Sequence, residues 1–151
     1  MLPKNERRPP GFTLIEMMVV LAIIGTLALL VAPSVLSHVS DANVTAARSQ
    51  IETFGVALDG YRLDTGAYPT TEDGLVALRF RPLRLTATSG WRGPYLRKNV
   101  PLDPWGRPYI YRSPGIANPD SYDLYTLGHD GKVGGQGEDA DITSWGGDLK
   151  P

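Results

Sequence analysis

At 151 residues the chain has room for one small domain and an appendage, not for two full domains. A formal net charge of −1 leaves no overall basic field for nucleic acid, and zero cysteines exclude disulfide staples and thiolate chemistry. Most of the 13 prolines and 17 glycines follow residue 65, so short elements and many turns are expected there.

Residues 1–11, MLPKNERRPPG, carry Lys4, Arg7 and Arg8 against Glu6, with two adjacent prolines that oppose helix. From Phe12 to Ala32 follow 21 residues with a single charge, Glu16. As a helix this run spans about 30 Å, the thickness of a hydrocarbon core. Positive charge before it marks the cytoplasmic flank, which places the C-terminal part across the membrane. The run is longer than a secretory signal and flows into further helical sequence, so ordinary signal peptidase is not its expected processor. A carboxylate in such a helix costs on the order of 2–3 kcal/mol at mid-bilayer. Either Glu16 sits at headgroup depth and reaches water, or another group compensates it.

After Pro33 the apolar residues Val44, Ala47, Ile51, Phe54, Leu58 and Tyr61 recur at spacings of three and four, one face of a helix. Gly66 and Pro69 supply a stop. The pattern predicts one long helix from Phe12 to about Asp64, weakened near Pro33 where a backbone donor is missing. Thr70 and Asp73 form a weak capping-box signal for a short helix through Leu78. Tyr109–Tyr111 and Tyr122–Leu127 read as two strands joined through 114–120. The expected class is α+β, a long helix packed on a small antiparallel sheet.

Leu127 to Ile142 holds four carboxylates (Asp130, Glu138, Asp139, Asp141) and five glycines. Hard oxygens on a glycine-rich loop suit Ca²⁺, although the spacing is not that of an EF-hand; a solvated acidic turn with Asp130-Gly131 at its corner fits the residues as well. His38 and His129 lack an HExxH arrangement, 134–137 is no phosphate loop, and no GxSxG elbow occurs. Trp91, Trp105 and Trp145 read as core or interface aromatics. Arg79, Arg81, Arg84, Arg92, Arg97 and Lys98 make a locally basic stretch, a solvated face or a surface for the acidic loop of a neighbouring copy.

The cluster Gly11-Phe12-Thr13-Leu14-Ile15-Glu16 resembles the processing site of the type IV pilin-like superfamily. The blocks Tyr68 to Leu75, Gly93 to Leu96, Pro101 to Gly106 and Leu124 to Trp145 make the chain resemble, over residues 11–146, the protein G family of major pseudopilins of the type II (general) secretion pathway. The resemblance implies a leader at 1–11, a transmembrane and filament-core helix at 12–32 and a periplasmic pseudopilin domain at 33–151. It implies cleavage between Gly11 and Phe12 by a prepilin peptidase, N-methylation of Phe12, and pairing of Glu16 with the Phe12 ammonium of a neighbouring subunit. Cleavage would remove Lys4, Arg7, Arg8 and Glu6 and shift the formal charge from −1 to −3. The Pro9-Pro10 pair departs from the small or polar residues usual there.

The resemblance further implies a structural Ca²⁺ held by Asp130, Asp141, the carbonyls of Leu127 and Lys132, and one more acid. Asp139 is the choice for that acid and Glu138 its substitute, because Ala140 separates Asp139 from Asp141 where the family often has adjacent acids. The implied function is non-enzymatic: a structural subunit held in the bacterial inner membrane, single-pass with its C-terminus periplasmic, then drawn by an assembly platform into a periplasmic homopolymer with minor pseudopilins. Its implied contacts include inner-membrane lipid and no nucleic acid. Pro33 would let the helix unwind locally in the filament. Two other readings compete: a type IV pilus subunit, though pilins commonly close a loop by a disulfide that this chain lacks, and a single-span metal-dependent membrane hydrolase using the acidic cluster and His129.

Overall fold

A computed structural model describes residues 11–86 and 89–149, and within 30–38 the backbone alone. The leader residues 1–10, with Lys4, Arg7, Arg8 and Pro9-Pro10, therefore lie outside the described residues. The chain divides into two compact units, Met1–His38 and Val39–Pro151. One helix, α1 (Leu14–Thr65), contributes residues to both.

In the first unit the described side chains from Gly11 to Leu29 are all exposed, on every face of α1. The Thr26 hydroxyl donates to the Ala22 carbonyl at 2.8 Å, so this polar group is satisfied within the helix. A helix apolar all round normally lies in a large core or a membrane. Among the described residues no helix is long and apolar enough to cross a membrane; the run expected to span, 12–32, continues past residue 29, the last of that stretch whose side chain is described. The backbone is helical through Pro33, where the sequence predicts a weak point.

In the second unit α1 buries one stripe. Ala47, Ile51, Phe54, Leu58 and Tyr61 are buried, Val44 packs against them, and Ala57 completes the face. The helix ends where expected, with the Gly66 N–H closing on the Arg62 carbonyl at 2.8 Å. The Thr70–Asp73 box forms in both directions: the Asp73 N–H donates to Thr70 Oγ1 at 3.2 Å and the Thr70 N–H to Asp73 Oδ2 at 3.3 Å. The box opens a turn that leads into a 3-10 helix, Leu75–Leu78, rather than starting a helix itself.

The sheet has three antiparallel strands in the order β1 (Ile110–Arg112), β2 (Asp123–Thr126), β3 (Ile142–Thr143). Tyr111 pairs with Leu124, and Thr126 with Ile142. The sequence predicts only the first two, because two residues are too few to show alternation; β3 is found by its pairing with β2. Tyr109, Tyr111, Leu124 and Ile142 join the helix stripe in one core, with the Phe54 and Tyr109 rings edge to face at 5.2 Å. Burial pushes the Tyr109 hydroxyl up to about 12. Trp91 and Trp105 pack on this core as expected, and Trp145 meets Tyr125 edge to face.

Two acids hold the turn-rich segments. Asp123 is buried, and its carboxylate accepts from the N–H groups of Ile116, Ala117 and Asn118 at 2.6–3.0 Å. Burial alone would raise its pKa, but those N–H donors and the Asn118 amide hold it below the ordinary value. Asp73 behaves alike: burial opposes its charge, and Arg84 with Thr70 outweighs that. A depressed carboxylate contributes stability that is present above the unfolded pKa and lost as pH falls through the folded one. Thermal stability is therefore expected to decline on acidification below about pH 4, and Asp123→Asn to flatten that decline; melting followed by circular dichroism across pH checks it.

Candidate functional site

Two places carry the residues singled out by the sequence. At the first, Phe12 is exposed and Thr13 precedes the first turn of α1. Glu16 Oε2 accepts from the Thr13 N–H at 2.9 Å and from the Thr13 hydroxyl at 2.8 Å, while the Glu16 N–H donates to Thr13 Oγ1 at 3.3 Å. Thr13 and Glu16 thus form a reciprocal capping box at the helix start, where a carboxylate also meets the positive end of the helix dipole. The Thr-x-x-Glu spacing before an apolar run is a sufficient signal for Thr13, and reading Glu16 alone passes over it.

The second place is the loop from Leu127 to Ile142. Its arms are joined by the His129 N–H, which donates to the Glu138 carbonyl at 2.9 Å. Gly128 permits this approach: its φ is +59°, and a Cβ there would lie 2.7 Å from the carbonyl oxygens of Glu138 and Ala140. Asp130 Oδ1 accepts from the Lys132 N–H at 2.9 Å, and the Leu127 carbonyl from the Gly131 N–H at 3.2 Å. Asp139 Oδ1 lies 3.3 Å from His129 Nδ1. Asp141 Oδ2 accepts from the Gly134 N–H at 2.7 Å, whereas its Oδ1 is buried with no hydrogen-bond partner. The loop thus carries Leu127, Asp130, Lys132, Asp139 and Asp141 together, but each acid is engaged locally. Among the described residues no group of three or more His, Cys, Asp or Glu is gathered to hold a metal.

Glu138 is held elsewhere. Its Oε1 accepts from the Trp105 indole N–H at 2.9 Å and the Asn43 amide at 3.4 Å. The Trp105 hydrogen bond lowers its pKa most; burial opposes it, and the weaker hydrogen bonds of Asn43 and Ser40 add to the lowering. That separates the two acids left open by the sequence: Glu138 ties the loop to α1 and Trp105, and Asp139 faces His129. The basic stretch is likewise partly used within the chain, with Arg84 on Asp73 and Arg79 donating to the Leu96 carbonyl.

The family model described as "Type II secretion system (T2SS), protein G" matches residues 34–145. The chain belongs to the type II secretion system protein G family. A second model, "Prokaryotic N-terminal methylation motif", matches residues 7–32 and so contains Gly11, Phe12 and Glu16. The chain is 48% identical to the type II secretion system core protein G of Pseudomonas aeruginosa over 141 residues, 93% of this chain and 98% of the relative. It is 43% identical to that of Vibrio cholerae over 142 residues, 94% and 95% of the two chains. Among solved structures it matches the major pseudopilin of the type 2 secretion system of enterohaemorrhagic Escherichia coli, with a TM-score of 0.56 and 32% identity, over 73% of this chain and 92% of that one. The fold is therefore the type IV pilin-like one, and membership in this family sets aside the pilus-subunit alternative. It is a family of structural pseudopilin subunits.

Because Glu138 anchors its arm through Trp105 and Asn43, Glu138→Ala is expected to speed amide exchange across residues 136–140 while leaving β1 and β2 unchanged. Hydrogen exchange with mass spectrometry checks this.

Proposed function

We propose that this chain is the major structural subunit of a periplasmic pseudopilus that drives export of folded proteins across the outer membrane by type II secretion. The observation that carries it is the start of α1, residues 14–29, apolar on every face and uncovered in the single chain. Such a surface needs lipid before assembly and neighbouring helices after it. The precursor waits in the inner membrane as a single span, its basic leader cytoplasmic and residues 33–151 periplasmic. A prepilin peptidase cleaves between Gly11 and Phe12, where the side-chain-free residue leaves the carbonyl open, and the Phe12 amine is methylated and stays protonated. An assembly platform then draws subunits into the homopolymer, with minor pseudopilins among its partners.

Glu16 guides the stagger. In the single chain its carboxylate is satisfied by Thr13; in the filament it turns to the Phe12 ammonium of the adjoining subunit, in a low dielectric that makes the pair sensitive to register. Pro33, lacking a backbone donor, is where α1 loses helical turns as the stalks pack. Glu16→Gln is expected to leave cleavage normal and to abolish filaments and export, read from electrophoretic mobility, electron microscopy and exoprotein in the medium. Normal filaments from that variant would refute the pairing.

The C-terminal loop is a structural calcium site. Its support is the buried, unpartnered Asp141 Oδ1, a hard anionic oxygen that a cation would satisfy. Asp130, Asp139, Asp141 and the carbonyls of Leu127 and Lys132 would hold the ion, which when bound supplies the divalent charge that lets three carboxylates share one loop. The chain's own residues set the stage: the Gly128 approach joins the arms, and Glu138 stays on Trp105. At a free calcium concentration a hundredfold above the dissociation constant the gain in stability is about 2.7 kcal/mol. Chelation is expected to lower the melting temperature of the wild type and to leave Asp141→Ala, already destabilised, without a calcium response; calorimetry with and without calcium checks it.

A further inference from the structure

The turn Asp103–Arg107 touches both arms of the acidic loop. Asp103 is buried, and its Oδ1 accepts from the N–H groups of Trp105 and Arg107 at 3.1 and 2.7 Å, while its own N–H donates to the Arg107 carbonyl at 2.7 Å. Asp103 Oδ2 accepts from the hydroxyl of Thr126, the residue before Leu127. Trp105 reaches the far arm through Glu138. Between these points lies the Arg107 guanidinium: Nη2 donates to the Gly128 carbonyl at 2.6 Å and also to the His129 carbonyl. Gly131 has a φ of +70°, and a Cβ there would run into Arg107 Nη1 and stand 3.0 Å from Cζ. A side chain there would be strained by that φ and would displace the guanidinium from its place.

We propose that Arg107 is a positioning residue for the calcium site, a strut that ties the Gly128–His129 stretch to the folded core and so limits the arm's freedom before any ion arrives. This rests on the calcium reading above. The two carbonyls that Arg107 engages lie between Leu127 and Lys132, the two carbonyls expected to bind the ion. By drawing the Gly128 and His129 carbonyls onto itself, it leaves fewer conformations to the stretch between the two ligand carbonyls. Both bonds leave one nitrogen, Nη2, which the rigid planar guanidinium holds in a single direction where a lysine ammonium would swing on its stem. Its charge opposes a second cation nearby. Arg107 is half-buried with its Nε out of water, so this repulsion stands against the entropy saved by ordering the arm in advance. Preorganisation is taken as the larger of the two.

The test uses the full-length protein in detergent micelles, titrated with calcium chloride in a calorimeter and followed in chelator by hydrogen exchange. Arg107→Gln is expected to raise half-saturating calcium about 10- to 100-fold, the usual cost of losing a group that orients a ligand. Arg107→Lys, which keeps the charge but not the rigid planar group, is expected to fall between it and the wild type. In chelator both variants should exchange faster at 128–132 with β1 and β2 as in the wild type. Calcium binding by Arg107→Gln that equals or exceeds the wild type overturns the proposal, as does unchanged exchange at 128–132. Should Arg107→Gln fail to fold, the Lys variant decides by the same two readings. Absence of calcium uptake by the wild type itself would remove the calcium reading and this strut's role together, a result distinct from failure of the variants alone.

Discussion

A lone carboxylate at the mouth of an apolar helix must always have donors, and the structure shows where a single chain finds them. Thr13 offers its N–H and its hydroxyl, and Glu16 returns its own N–H to Thr13 Oγ1. The arrangement starts α1 and keeps the charge satisfied without water from the apolar side. It also leaves the carboxylate next to the position that, under the proposed cleavage, becomes an amino terminus. The proposed function gives this one side chain a part in helix initiation, membrane residence and assembly, since an apolar surface like that behind Glu16 calls for lipid or other copies.

The second unit solves a different difficulty. It is rich in turns and has no cysteine, so its loops are tied by carboxylates to backbone N–H groups. Asp123 gathers three N–H donors from 116–118, and Asp103 gathers two within its own turn and a hydroxyl from Thr126. Each is a charge-assisted bond in a partly dry setting, stronger than a neutral turn bond. Through Asp103, Trp105 and Arg107 the same turn becomes the footing of the acidic loop. The loop's arms accordingly have a fixed base on the folded core rather than hanging from β2 and β3 alone.

Much of this is written plainly in the sequence. The three-and-four spacing from Val44 to Tyr61 predicts the buried stripe apart from Ala57, with Val44 only partly buried, and Gly66 predicts the stop, because both rest on helix geometry alone. The sheet is two-thirds legible: β3 spans only Ile142–Thr143 and exists by virtue of β2, a non-local fact. Asp103 and Asp123 are not legible as loop anchors, since their partners are backbone N–H groups that every sequence possesses. Thr13 is legible as a cap but easily passed over, because Glu16 invites reading as a charge in a membrane before it invites reading as the third residue of a helix. In the acidic loop the residue types point to hard oxygen chemistry, but which acid anchors and which remains available depends on Trp105 and Asn43, far away in the chain.

The central claim, that the carboxylate capped by Thr13 in one chain answers the terminus of the next in the polymer, is tested most directly by a cryo-electron microscopy map of the assembled filament at side-chain resolution. The account predicts a carboxylate oxygen of Glu16 within about 4 Å of the Phe12 nitrogen of an adjoining subunit, close enough for an ion pair. A map in which Glu16 stays on Thr13 and no neighbouring amino terminus approaches it would contradict the account.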